Sequence, residues 1–279
     1  MASVPGFVER LRAAEAASGS RLCVGLDPEA AKLPLRWRGD VSKLFDFCAA
    51  IVDATHDLVL AYKPQIAYFA AERAEDQLER LIAHIHRVAP GVPVILDAKR
   101  GDIGSTATQY AREAFERYRA DALTLSPFMG LDSVEPYFAW PDKGLFLLCR
   151  TSNPGGDDLQ ARTVGAEGDL PAEPLFERVA RLAAGPWNRT GQLGLVVGAT
   201  YPAEIERVRT LAPTLPLLIP GVGAQGGDAA ATVRAGWRPG GAIAVNSSRA
   251  VLYASAGDDF AGAARRVADA TRRALSPLS

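Results

Sequence analysis

Eight short apolar runs punctuate the chain: RLCVGL (21–26), LVLAYK (58–63), VPVILD (92–97), DALTLS (121–126), GLFLLC (144–149), LGLVVG (193–198), LPLLIP (215–220) and GAIAVN (241–246). Each is rich in Val, Leu or Ile, and near-continuous apolar runs of this length predict strands buried on both faces of a parallel sheet. Most are separated by stretches such as DVSKLFDFCAAIVDATHD and DQLERLIAHIHRVAPG, whose apolar residues recur at three and four. That spacing predicts amphipathic helices laid on the sheet. Strand and helix alternating eight times predicts an α/β protein, a single (β/α)8 TIM-barrel domain over residues 1–279, with a doubly wound open sheet as the alternative. No Ser/Pro-rich linker divides the chain. One long irregular segment, about 151–173, follows the fifth run. A loop of that length in a compact domain is expected to be functional, here an active-site loop whose first part, 151–165, belongs to a closing lid. The alternative is a plain surface insertion.

Composition narrows the classes. With 279 residues, 48% hydrophobic and 23% charged, the chain has the balance of an ordinary soluble globular protein and needs no disulfides to hold a core. A formal charge of −1 leaves no electrostatic footprint for nucleic acid or an anionic membrane. No stretch approaches the roughly 18 uninterrupted apolar residues of a membrane span. The N-terminal stretch has helical spacing with Glu9 and Glu15 inside it and lacks the apolar core of a signal peptide, so a cytoplasmic location is expected. Cys23, Cys48 and Cys149 are too few and too scattered for a metal site or a disulfide framework, and read as reduced core residues. His56, His84 and His86 lie away from strand C-termini and read as structural or exposed.

Barrel enzymes build their active sites from the loops at the strand C-termini. Here the first run ends in Asp27, the second in Lys63, and the third in Asp97 with Lys99 and Asp102 beyond it. The fifth leads to Ser152, the seventh to Pro220 and a glycine-rich loop, and the eighth to Asn246 and Arg249. In Asp97-Ala98-Lys99-Arg100-Gly101-Asp102-Ile103, strand alternation sends Ile95, Asp97 and Lys99 the same way. If Ile95 fills the barrel, the two charged residues project into its mouth. An ammonium held among carboxylates keeps its charge and makes a well-positioned proton donor. A structural ion pair, with Asp102 capping the next helix, explains the DxKxxD pattern equally well at this point.

The seventh run continues as Pro220-Gly221-Val222-Gly223-Ala224-Gln225-Gly226-Gly227. Glycines between strand and helix let backbone N–H groups approach an anion, and the helix dipole favours one. Barrels often hold phosphate on the loops after strands seven and eight, where this turn and the Arg249 guanidinium fall.

These segments carry a specific resemblance. DAKRGDIGSTA (97–107) is similar to the signature of the orotidine 5′-phosphate decarboxylases, particularly the longer bacterial (type 2) subgroup, and PGVGAQGGD (220–228) resembles that family's phosphate loop. Lys63 in AYKPQIAYF, Ser152 in TSNPG and the NSSR of 246–249 fall in family order, so the match runs from about Asp27 to Arg249. The resemblance implies cofactor-independent decarboxylation of orotidine 5′-phosphate to UMP and CO2, the last step of de novo UMP biosynthesis, by a homodimer. It implies that Lys99 donates the proton, that Asp97 lies against the substrate carboxylate, and that Lys63 links the carboxylates and the ribose. Asp102, with Ile103 and Thr106, would reach the neighbouring subunit's site. Asp27 would bind ribose, Ser152 the pyrimidine edge, Pro220 the base, and Gln225 and Arg249, with Gly221 and Gly223, the 5′-phosphate. The extended 151–173 region and the NSSR form depart from the shorter members and bear on the closing contacts.

No residue pattern suggests a metal, pyridoxal phosphate or thiamine site. Two other readings fit parts of the pattern. A magnesium-dependent hexulose-phosphate synthase or keto-acid phosphate decarboxylase resembles the chain in DxKxxD and the phosphate site, but places an acidic metal ligand where Lys63 stands. A non-catalytic nucleotide-binding barrel would be expected to have lost part of the Lys63, Asp97, Lys99 and Asp102 array.

Overall fold

The computed structural model of the chain describes residues 5–222 and 227–276. The strands are β1 (Leu22–Leu26), β2 (Ala61–Pro64), β3 (Ile95–Arg100), β4 (Ala122–Leu125), β5 (Gly144–Arg150), β6 (Thr163–Val164), β7 (Glu173–Pro174), β8 (Leu193–Val197), β9 (Leu217–Pro220) and β10 (Ile243–Ser247). The helices are α1 (Phe7–Ser18), α2 (Leu44–Thr55), α3 (Ile66–Ala70), α4 (Glu75–Val88), α5 (Gly104–Arg112), α6 (Leu175–Ala184), α7 (Pro202–Leu211), α8 (Ala229–Gly236), α9 (Arg249–Leu252) and α10 (Phe260–Ala274). Eight strands form one parallel sheet in the order β2-β1-β10-β9-β8-β5-β4-β3. Its two ends meet through parallel bridges Tyr62↔Val94 and Gln65↔Asp97, which close the ring into a TIM barrel. The open-sheet alternative is thereby set aside.

Each barrel strand falls within or beside one of the apolar runs, several starting late. Pro93 and Pro216 have no N–H to give a ladder, so β3 and β9 begin after them. Strand alternation then sorts the side chains. Cys23, Ala61, Ile95, Ala122, Phe146, Val196, Leu218 and Ala244 fill the interior, while Val24, Leu96, Leu123, Leu147, Ile219 and Val245 face the helices.

Helix α1 closes the N-terminal end of the barrel, with Phe7 and Leu11 packed into the interior cluster. The Phe7 ring meets Phe146 edge-on at 5.7 Å between centroids. Gly144 makes this possible, because a Cβ there would stand 2.2 Å from a Phe7 ring carbon. Burying a phenylalanine of this kind stabilises by roughly 2–3 kcal/mol.

The segment after β5 is more structured than its sequence suggests. It carries a 3-10 turn over Pro154–Asp158 and the antiparallel β6–β7 pair. Arg150 ties the turn down through Asp157 (2.5 Å), while its Nε reaches Glu204 on α7 (2.7 Å). Buried Glu173 receives Arg178 (3.0 Å) and Arg181 (2.6 Å) from α6, which fastens the hairpin to that helix.

Candidate active site

The polar rim of the barrel is organised around one carboxylate. Asp97, on β3 above Ile95, is 7% exposed and accepts from Lys63 Nζ through Oδ2 (2.8 Å) and from Lys99 Nζ through Oδ1 (2.6 Å). Lys63, at the end of β2, is 4% exposed. Burial works against charge on Lys63, but Asp97 and then Asp27 outweigh it and hold its ammonium above the usual lysine range. Burial likewise works against charge on Asp97, and Lys63 followed by Lys99 outweighs it, driving the carboxyl well below the usual range. Charge at this rim is therefore mutually enforced, and the fold carries a fixed electrostatic field into the barrel mouth.

Lys99 arrives by a route that simple alternation did not anticipate. The β3–β4 register jumps from Leu96↔Leu123 to Arg100↔Leu125, so Asp97, Ala98 and Lys99 bulge opposite Thr124 alone. Lys99 has φ 47°, in the left-handed region that a β-strand never uses. The bulge folds the lysine back so that its ammonium reaches the carboxylate two residues before it.

Asp27, just past β1, accepts from Ser248 Oγ through Oδ2 (2.7 Å). Its Oδ1 is buried and has no hydrogen-bond partner among the described residues. Asp27 and Lys63 share a cavity of about 330 Å³ with Tyr68, Pro220, Gly221, Val222, Asn246, Ser248 and Arg249. Arg249 stands exposed at the start of α9, without an acidic partner among the described residues. Gly223 and Gln225 lie outside the described residues. The helix after their loop, α8, is capped by Asp228, whose carboxylate takes the N–H of Ala231 (2.7 Å), so that N-terminus is partly satisfied from within.

Ser152 sits at the adjoining rim, between β5 and β8, and does not line that cavity. It lies against Gly198, where a Cβ would stand 2.8 Å from the Ser152 backbone nitrogen. Asp102 is not joined to Asp97, Lys99 or Lys63 within the chain. Its Oδ1 accepts the N–H of Ile103 (2.8 Å) at the turn into α5. Ile103 and Thr106 are exposed there. Phe128 and Met129, also exposed, lie on the loop after β4, whose Ser126 N–H donates to Arg100 O (2.8 Å).

Sequence reasoning missed Thr124, Tyr68 and Ser248 as members of this rim, and named Asn246 at its strand end without giving it a role. Tyr68 lies five residues past Lys63 on α3, and only the cavity reveals that it faces the site. Asn246 offers a buried Oδ1 with no partner among the described residues. The alternation of GAIAVN does place Asn246 on the same face as Ala244, a signal available from the pattern. A second cavity, of about 360 Å³, lies at the opposite end of the barrel between Arg12, Arg21 and Trp237. Its buried Arg21 pairs with Glu15 (3.2 Å), and it is remote from the lysines. All three cysteines are free and buried. Among the described residues no His, Cys, Asp and Glu side chains gather into a metal-sized cluster, and no helix is long and apolar enough to cross a membrane.

Fold and rim chemistry together place the molecule among the TIM-barrel enzymes. Within that class, the chain belongs to the orotidine 5′-phosphate decarboxylase / HUMPS family, which it matches over residues 20–266. It is 74% identical over 269 residues to the orotidine 5′-phosphate decarboxylase of Polaromonas naphthalenivorans (strain CJ2), covering 96% of this chain and 95% of that protein. It is 71% identical over 270 residues to the one from Paracidovorax citrulli (strain AAC00-1), covering 97% and 98%. The solved structure of Leishmania donovani OMP decarboxylase superposes with a TM-score of 0.81 at 39% identity, over 97% of this chain and 99% of that one.

Proposed function

We infer that the chain removes CO2 from orotidine 5′-phosphate to give UMP, the last step of de novo UMP synthesis, through its lysine–aspartate network. The observation that carries the reading is the single carboxylate, Asp97, held by Lys63 and Lys99. Homology to named decarboxylases at above 70% identity supports the reaction itself.

The chemistry is demanding because the C6–CO2 bond breaks with its electron pair left on a ring carbon that delocalises it poorly. Fixed charges are worth most where water cannot reorganise around them. Lys99, seated on Asp97 with its side chain half exposed at the rim, sets its positive charge against the developing carbanion and transfers its Nζ proton to C6 as CO2 leaves. Asp97 holds that ammonium in place and faces the substrate carboxylate. Lys63 fixes Asp97 and turns toward Asp27 and the ribose hydroxyls, for which the unpartnered Asp27 Oδ1 is a suitable acceptor. Pro220 packs on the base and Ser152 meets the pyrimidine edge. Arg249, with Gly221, Gly223 and Gln225 of the glycine loop, takes the 5′-phosphate. Binding energy from the remote phosphate can then be used at C6.

Asp102 completes the array from a neighbouring copy. Its position on the turn into α5, with Ile103 and Thr106 exposed next to it and no bond from Asp102 to its own Lys99, supports a homodimer in which Asp102 and Thr106 cross to the partner's site. The barrel is one domain, and the segment from 151 to 165 forms part of the active-site cover. Arg150 anchors it at Asp157, and the Glu173 pairs with α6 fasten the hairpin that follows. A cytoplasmic setting suits this reaction. The magnesium-dependent reading is disfavoured by Lys63, a cation seated where an acidic metal ligand is needed.

The loss of orotidylate absorbance with purified protein, with and without chelator, tests the function. Turnover indifferent to chelator is expected. No turnover, or turnover abolished by chelator, would overturn it.

A further inference from the structure

We propose that Thr124 is a positioning residue for proton delivery, its one hydroxyl building the bulge that carries Lys99. The inference rests on the reading of Lys99 as proton donor and concerns what puts it there.

The β3 bulge leaves a backbone problem. Three residues, Asp97 to Lys99, stand opposite one residue of β4, so the N–H groups of Ala98 and Lys99 have no strand carbonyl to meet. Both N–H groups are part-buried, and backbone donors left without partners away from water are costly. Thr124 Oγ1 accepts both, each at 3.0 Å, and its own O–H donates to Asp97 Oδ1 at 2.9 Å. One hydroxyl thus uses its full capacity, two lone pairs and one proton. It is 1% exposed, so water does not replace it.

The consequences converge on one atom. Asp97 Oδ1 is also the oxygen that receives the Lys99 ammonium. Thr124 therefore fixes the lysine from both sides, through its main chain, held at φ 47°, and through the carboxylate that seats its Nζ. A left-handed lysine persists only where its surroundings over-determine it. Val at 124 would keep the shape and β-branched stiffness of Thr but strand two donors and take from Asp97 Oδ1 one of its two hydrogen bonds. The bulge would then be expected to relax toward regular pairing and withdraw Lys99 from its place. Ser would keep all three bonds.

Steady-state kinetics of Thr124→Val and Thr124→Ser, with UMP affinity and thermal unfolding of each, test the proposal. Thr124→Val is expected to lose about 10²-fold in kcat, the scale of a 1 Å misplacement of a reacting group, with KM and the UMP Kd within about threefold of the parent. Thr124→Ser should recover kcat to within about threefold. If the valine protein does not fold, Thr124→Ala against Thr124→Ser gives the same comparison. Parental kcat without the hydroxyl, or a serine variant as slow as the hydroxyl-free one, overturns the proposal. Lys99→Ala, run alongside, separates the two levels. If it keeps turnover, the reading of Lys99 falls whatever Thr124 does. If it collapses while Thr124→Val does not, the positioning role alone is lost.

Discussion

Lys63 Nζ lies 2.8 Å from Asp97 Oδ2, with both side chains nearly out of reach of solvent. A pair so placed does little for stability on balance, yet removing one half leaves the other charge buried and poorly compensated. Lys63→Met is expected to cost about 3 kcal/mol of folding stability. The double variant Lys63→Met/Asp97→Leu should recover part of that, since the carboxylate that lost its partner is removed with it. Denaturant midpoints at constant slope measure both. A double variant less stable than the single one would contradict the account.

Acid sensitivity should come partly from the far end of the barrel. Asp121 meets Arg10 Nη1 (2.5 Å), His86 Nε2 (3.0 Å) and the N–H of Val94 (2.9 Å). Burial opposes its charge, but hydrogen bonds from His86, Arg10 and Val94 bring its pKa down to about 2. A folded value below the unfolded one, about 3.9, means that its stabilisation is complete above pH 4. That stabilisation is lost as pH falls from about 4 toward 2, some 2 kcal/mol in all. Asp121→Asn should therefore be less stable than the parent at pH 7 and flatter in that acid window. Urea unfolding at pH 7, 4 and 3 checks this, and parallel pH slopes would count against it.

The plug at the barrel floor predicts overpacking. Gly144→Ala sets a Cβ into the Phe7 ring and is expected to destabilise by about 1–3 kcal/mol. Phe7→Leu should relieve part of it. A thermal-unfolding double-mutant cycle gives the coupling between the two, and strict additivity would mean that α1 shifts away instead.

If Asp102 serves a neighbouring site, breaking the contact should cost activity at a distance. Phe128→Asp puts a charge among the exposed apolar side chains of the β3 and β4 loops, Ile103, Phe128 and Met129. It should shift the protein toward monomers in sedimentation and lower specific activity in proportion. Full activity as a monomer would remove Asp102 from the reaction.

The barrel was legible because its eight strands are buried on both faces and advertise themselves as apolar runs. Lys63, Asp97 and Lys99 were legible from their places at strand ends. The bulge was not, because it depends on a hydroxyl 25 residues farther along, on another strand. The β6–β7 pair is too short to show a period of two, and nothing local marks Glu173, which anchors it through arginines of the following helix. Tyr68 and Ser248 belong to the site only because the loops of β2 and β10 fold over one cavity. Local pattern marks what is buried and what ends a strand, whereas convergence between loops waits for the fold.

The most direct test of the central claim is Lys99→Ala assayed for turnover and for UMP binding together. The account predicts decarboxylation reduced by about 10³-fold or more, in the range of a lost general acid, with UMP affinity largely kept because Arg249 and Pro220 still line the cavity. Turnover unchanged in that variant would contradict it.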